Sequence, residues 1–238
     1  MENGLVVNVV CVNWGTKYGT EYTHRLYNMV KRNTTKDFKF YVLTDQEGIY
    51  DKHPYITVPL DVGYAGWWNK LQMFKPGILP EGEYLYFDLD VVIVDNIDCF
   101  FEHEGFCVIR DFIRPDDGLL PGKEYNSSTM RFNNKFLKGI WEYYIQNKNQ
   151  WHAYQDQIHF FGDQNVVSSY FNHYPDIGKH FPDEWLWSYK KGVARGKHAG
   201  DRSQMFGRRI PEGGKVCIFH GSPNPTEVDE EWVKKNYL

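Results

Sequence analysis

The sequence predicts an α/β fold, a single domain in which a mainly parallel sheet is flanked by helices. Short runs rich in Val, Ile, Tyr and Phe alternate with segments of helical spacing, which is the signature of βαβ units. The first such run, LVVNVVCVN (5–13), is apolar almost throughout rather than at every second position, as in a strand covered on both faces. The chain has 238 residues, 42% of them hydrophobic, with no internal repeat and no linker, a size that suits one large α/β domain.

The elements follow in order. The strand 5–13 breaks at WGTKYGT, where two glycines mark a loop. EYTHRLYNMVKRN then places Tyr22, Leu26, Met29 and Val30 on one helical face. DFKFYVLTD (37–45) and YITVPL (55–60) read as the second and third strands, and GWWNKLQMFKPGI (66–78) as a helix closed by Pro76-Gly77. EYLYFDLDVVIV is expected to be one continuous fourth strand. Beyond residue 100 the pattern loosens. GFCVIRD (105–111) is strand-like, RPDDGLLPGK a loop, NKFLKGIWEYYIQN a helix, QNVVSSYF (164–171) a helix and KVCIFHG (215–221) a late strand. Residues 188–209, rich in Gly, Lys and Arg, read as a mobile surface loop.

The net charge of −4 provides no basic field for nucleic acid. Cys11, Cys99, Cys107 and Cys217 lie in separate apolar runs with no C-x-x-C pair, as expected of buried, reduced thiols. The first residues have no basic leader and their apolar run is too short to cross a membrane. These features predict a cytoplasmic protein without an integral membrane segment. Aromatic residues make up 17% of the chain, enough to fill the core and also to handle flat or partly apolar small molecules such as sugars and bases.

Ligands of open parallel sheets bind outside the carboxyl ends of the strands. Asn13, Asp45, Asp88 with Asp90, Asp111 and His220 all fall at or just after predicted strand ends. In a regular strand Asp88 and Asp90 share a face, and two carboxylates that close repel unless a positive group sits between them. A hard divalent cation meets that need; a turn or N-cap pair is the plainer reading of the same residues.

With the preceding segment included, WWNKLQMFKPGILPEGEYLYFDLDVVI resembles the GT-A nucleotide-sugar glycosyltransferases, and most of all glycosyltransferase family 8, the glycogenin and lipopolysaccharide-galactosyltransferase kind. EYNSSTMRFNN (124–134), FGDQNVV (161–167) and FHGSPNP (219–225) are similar, in order, to three further blocks of that family. The resemblance implies a GT-A domain over 1–238, with a nucleotide-binding half over roughly 1–100 and a donor-sugar and acceptor half over roughly 101–238. It implies transfer of a sugar from a nucleotide-sugar donor, a UDP-sugar by analogy, to a carbohydrate or glycolipid acceptor with retention of configuration. Asp88, Asp90 and His220 become ligands of Mn²⁺ or Mg²⁺. Asn13 and Tyr18 would meet base and ribose, with Asp45 a further residue of that type. Lys70 would stand near the donor. Asp111, Asn126, Asp163 and Gln164 would surround the transferred sugar, with Asp163 or Gln164 facing the anomeric carbon.

Two departures from the family pattern bear on the donor. Ser128 stands where the family has a glycine, and Asn224 where it has a diphosphate-binding lysine. Lys190, or Arg195, Lys197 and Arg202, would have to supply the missing cation. Three other readings share some of these residues. A nucleotidyltransferase would carry a Gly-rich basic loop after its first strand, which NWGTKYGT matches poorly. A sugar-binding protein without catalysis would not need three metal ligands. The FDLD run also resembles the opening of haloacid-dehalogenase phosphatases, but here three strands precede it.

Overall fold

The computed structural model describes residues 6–112, 125–157, 160–193 and 208–238. Its central strand, β1 (Val7–Asn13), is buried on both sides, as its unbroken apolar run demands. Val9 and Cys11 point into one core, and Val10 and Val12 into another on the opposite face. Around it a seven-stranded sheet is built from β2 (Phe38–Thr44), β3 (Ile56–Pro59), β4 (Glu83–Phe87), β6 (Phe106–Arg110), β7 (Tyr125–Asn133) and β8 (Gly178–His180), in the order β3-β2-β1-β4-β7-β6-β8. β3, β2, β1 and β4 run parallel; β7 is antiparallel to both β4 and β6, and β8 is parallel to β6. The mainly parallel α/β architecture is as expected.

A smaller sheet, in the order β10-β9-β11-β5, covers one face. It comprises β5 (Val91–Ile93), β9 (Leu186–Ser188), β10 (Gly192–Val193) and β11 (Val216–Ile218). Its apolar side joins α1 (Thr20–Arg32) in the first core. Leu26, Met29 and Val30, spaced three and four apart, are fully buried there, each stabilising the fold by about 1.5–3 kcal/mol. Lys31 and Arg32 lie in the last turn of α1, favourably placed for the helix dipole, and the Asn33 side chain donates to Met29 O at 2.8 Å to close it. The second core lies under the 3-10 helix Gly66–Phe74, α2 (Lys138–Gln146) and α4 (Asp163–His173). The short helices α3 (Lys148–Tyr154) and α5 (Glu231–Asn236) complete the chain.

The structure corrects four expectations. Residues 83–94 are not one strand. β4 ends at Phe87, residues 88–90 form a turn, and β5 enters the second sheet antiparallel to β11. The segment expected as a helix over 66–78 is a 3-10 helix that stops at Phe74. Residues 125–133, a polar stretch given no element above, form the longest strand among the described residues, and its first eight positions, Tyr125 to Phe132, are all buried. Part of the expected surface loop 188–209 forms the end of β9 and β10; Arg195, Lys197 and Arg202 lie outside the described residues, as does the whole loop 114–123.

Candidate active site

At the carboxyl ends of β1 and β4 the sheet opens into a cleft of about 320 Å³. Its floor is set by the turn 88–90, where Asp88 and Asp90 do not share a strand face as a regular strand would have them do. Asp88 N–H donates to Ser128 O at 2.8 Å, tying the turn to β7. The Asp88 carboxylate turns toward the second core and accepts hydrogen bonds from the Tyr86 hydroxyl and, at 3.0 Å, from Lys70 Nζ. Asp90 faces elsewhere, accepting from the Tyr18 hydroxyl at 3.1 Å and from Gly221 N–H at 3.4 Å.

Lys70 is the buried pivot of this floor. Its ammonium sits 3.2 Å from Asp163 Oδ2 and donates to Ser127 Oγ at 3.1 Å, while Ser127 in turn donates to Asp163 at 2.7 Å. Burial works against the Lys70 charge, but Asp163 and Asp88 outweigh it and its pKa is raised. Asp163 is itself raised by burial, which exceeds the downward pull of Lys70. Asp90 is raised by burial and then by the charge of Asp88. A single internal cation thus stands against three carboxylates, a surplus of negative charge at the base of the cleft.

β11 delivers the last group. His220 adopts a left-handed φ of 35° and Gly221 follows at 93°, turning the chain so that the imidazole lines the cleft. Asn and His are among the side chains that tolerate this region best. Its Nε2 is paired with Ser188 Oγ at 2.5 Å, and the Phe112 ring lies parallel to it with centroids 6.2 Å apart. Burial, and then the nearby Lys190 ammonium, lower the His220 pKa to about 4, so the ring is neutral at neutral pH. Lys190 reaches across from the turn after β9 and donates to His220 O at 3.2 Å. Burial lowers the Lys190 pKa and outweighs the opposing pull of Asp90.

The cleft gathers Tyr18, Lys70, Asp88, Asp90, Asn126, Asp163, Gln164 and His220, with Lys190 behind His220 and Gly221. Asn126 donates to Gln164 Oε1 at 3.3 Å, and its own oxygen accepts from Ser128 N–H at 3.0 Å. Three of the anticipated residues lie apart from the lining. Asn13 is buried beneath the start of α1, where its amide donates to Tyr50 at 2.8 Å and Thr23 at 3.1 Å. Asp45 is exposed and its carboxylate accepts from Gly15 N–H at 3.0 Å, propping the loop after β1. Asp111 is buried immediately before Phe112. Asn224 begins the short 3-10 helix Pro225–Glu227, its N–H held by Glu227 at 2.8 Å.

Sequence reasoning passed over Ser127, Tyr86, Ser188 and Lys17. Tyr86 carried a signal, because it sits two positions before Asp88 on the same strand face. Ser188 carried none, since it meets His220 across 32 residues.

The parallel strands, the acidic turn that leaves the sheet after β4 and the cleft at the strand ends together define the GT-A glycosyltransferase fold. No protein-family model matches the sequence, and no curated protein matches it. Solved structures do. The galactosyltransferase LgtC, determined with donor and acceptor sugar analogues, is similar at a TM-score of 0.65 with 12% identity, over 98% of this chain and 97% of that one. The glycosyltransferase GlyE of Streptococcus pneumoniae TIGR4 is similar at 0.68 with 14% identity, over 98% of this chain and 61% of GlyE. Mouse xyloside xylosyltransferase 1 is similar at 0.55 with 12% identity, over 92% and 98%. At these identities the likeness is one of fold.

Proposed function

We propose that the protein is a metal-dependent glycosyltransferase that moves a sugar from a nucleotide-sugar donor, a UDP-sugar, to a hydroxyl of a carbohydrate or glycolipid acceptor with retention of configuration. The observation that supports this best is the meeting of Asp88 and Asp90, from the turn after β4, with His220, from the turn after β11, at one cleft that also holds Asp163 and Gln164.

The donor set suits Mn²⁺ or Mg²⁺ in its chemistry. Two carboxylates offer hard oxygen ligands, Asp90 is disfavoured as an anion by the charge of Asp88, and His220 is neutral, as a ligand imidazole must be. Among the described residues no three His, Cys, Asp or Glu side chains are drawn together closely enough to cage an ion, so binding would have to draw them inward. When bound, such an ion supplies Lewis-acid neutralisation of the diphosphate as it departs.

The chain's own groups account for the rest. Lys190 and Lys17 offer positive charge to the donor diphosphate at the rim, and Tyr18 fixes the orientation of Asp90. Lys70 holds Asp88 and Asp163 in register through its contacts with both carboxylates. The donor C1–O bond breaks with its electron pair going to the diphosphate. The acceptor oxygen bonds to C1, and its proton passes to the departing phosphate oxygen. Asp163 or Gln164 faces the electron-poor anomeric carbon and stabilises its oxocarbenium character.

The test is nucleotide release and thermal stabilisation with a panel of UDP- and GDP-sugars, in Mn²⁺ and in EDTA. One donor should stabilise the wild type only with metal, and the D88A/D90A variant should lose the response. Stabilisation equal in EDTA removes the metal from the reading. Inverted configuration in the first product, read by NMR, removes retention.

A further inference from the structure

The lining of the cleft combines two chemistries: the polar and charged side chains Asp88, Asp90, His220, Tyr18 and Lys17, and the aromatic side chains Trp14, Trp67 and Phe161. Of the eight tryptophans, two are buried, five are partly buried and Trp67 is exposed. Trp68 is buried and stacks against Tyr144 and His152, with centroids 5.3 and 4.7 Å away. Trp187 is fully buried, and Trp185 packs beside Phe100 and His103. Trp67 is 40% exposed and lines the cleft.

Trp67 is also held in a fixed orientation. It meets Trp68 edge-on at 87° and Phe160 at 69°. Its ring lies against Gly162, so closely that a Cβ on that glycine would stand 2.1 Å from the indole Cγ. Gly162 is the residue immediately before Asp163, so the exposed indole is anchored to the backbone that carries the Asp163-Gln164 pair. Leaving an indole of this size part-exposed forgoes burial that would stabilise the fold. A rigid, exposed ring at the mouth of a polar cleft is a ready surface for a ligand with one apolar face.

Resting on the transferase reading above, we propose that Trp67 is the stacking platform for a pyranose ring of the acceptor. The axial C–H bonds of a pyranose form a patch of slightly positive hydrogens that suits the electron-rich face of an indole. An anionic donor is served instead by the cationic and metal-ligand groups of the lining, Lys17, Asp88, Asp90 and His220. Stacking here also places the acceptor next to Asp163-Gln164, where a hydroxyl has to reach the anomeric carbon.

Two experiments test this. In saturation-transfer NMR with UDP and Mn²⁺ present, methyl pyranosides of glucose, galactose, mannose and N-acetylglucosamine are titrated against wild type, Trp67→Ala and Trp67→Phe. At least one should receive saturation at its axial protons from the wild type, lose it with alanine and regain part of it with phenylalanine. In transfer assays with that sugar, Trp67→Ala should raise the acceptor KM about tenfold, equivalent to about 1.4 kcal/mol, while the Kd for the nucleotide sugar moves less than twofold. Equal saturation in all three proteins, none in any of them, or a donor Kd that rises as far as the acceptor KM overturns the proposal. If wild type releases nucleotide and transfers sugar but the alanine variant keeps its acceptor KM, this inference fails alone. If wild type neither binds nor turns over any nucleotide sugar, the transferase reading fails and takes this inference with it.

Discussion

Replacing Gly162 by alanine tests how tightly the cleft wall is built. Gly162 has φ 59° and ψ −114°, the combination of the first central position of a type II′ turn, where glycine dominates. A side-chain-bearing residue held there costs about 1–3 kcal/mol in backbone strain alone. The new Cβ would also meet Trp67 Cγ, Cδ1 and Cδ2 at 2.1, 2.2 and 2.3 Å, far inside contact distance, so the indole must leave its seat. Overpacking of this kind costs about 1–3 kcal/mol more. A total loss of about 2–6 kcal/mol is expected for Gly162→Ala in urea unfolding followed by circular dichroism. In a Trp67→Ala background the ring is gone, and the same substitution should cost only the backbone share, about 1–3 kcal/mol. The coupling between the two sites is then about 2 kcal/mol, within the range for residues in contact. Equal losses in both backgrounds would refute the packing argument, and no loss in either would refute the backbone argument as well.

Lys70→Met should destabilise the protein by about 3–5 kcal/mol, because it leaves Asp88 and Asp163 without their shared buried cation; a loss under 1 kcal/mol in chemical denaturation would show that the pair is solvated. Lys190→Met should raise the donor Kd severalfold and flatten its dependence on salt, by removing a cation held beside the cleft through the His220 carbonyl; an unchanged salt slope in calorimetry counts against a diphosphate contact. Asp98 accepts from the Thr35 N–H at 3.1 Å and from both the Thr34 and Thr35 hydroxyls, and these bonds outweigh burial to lower its pKa. A depressed folded pKa contributes stability above the unfolded value that is lost as pH falls through the folded one. Wild type should therefore lose an increment of stability below about pH 4 that Asp98→Asn lacks; parallel stability curves for the two proteins would dismiss the clamp.

The alternation of strands and helices through residue 100 was legible because each buried strand there is a compact apolar run. The rim residues were legible for the same reason, since polar side chains closing such runs stand out. The break at Asp88-Leu89-Asp90 was hidden because apolar residues continue on both sides of it, and hydrophobicity alone does not separate one strand from two in different sheets. β7 was hidden for the opposite reason. Asn126, Ser127, Ser128 and Thr129 are buried yet polar, because the cleft needs hydrogen-bonding groups in its wall, and a run of that composition looks like a loop. Asn13 and Asp45 ended strands as expected, but the sequence could not say whether their side chains reach the cleft or, as here, brace the loop beside it.

The turn 88–90 joins two layers, and its two carboxylates are fastened to different ones. Asp88 is pinned to the large sheet and the second core through Ser128, Tyr86 and Lys70. Asp90 is pinned to the loop after β1 and, through Gly221, to the turn that ends the small sheet. The separation of the two acids is therefore a gauge of how one sheet slides on the other. A shear of the layers is read out first as a change in that spacing, and any ligand that fixes the spacing becomes a rivet between them.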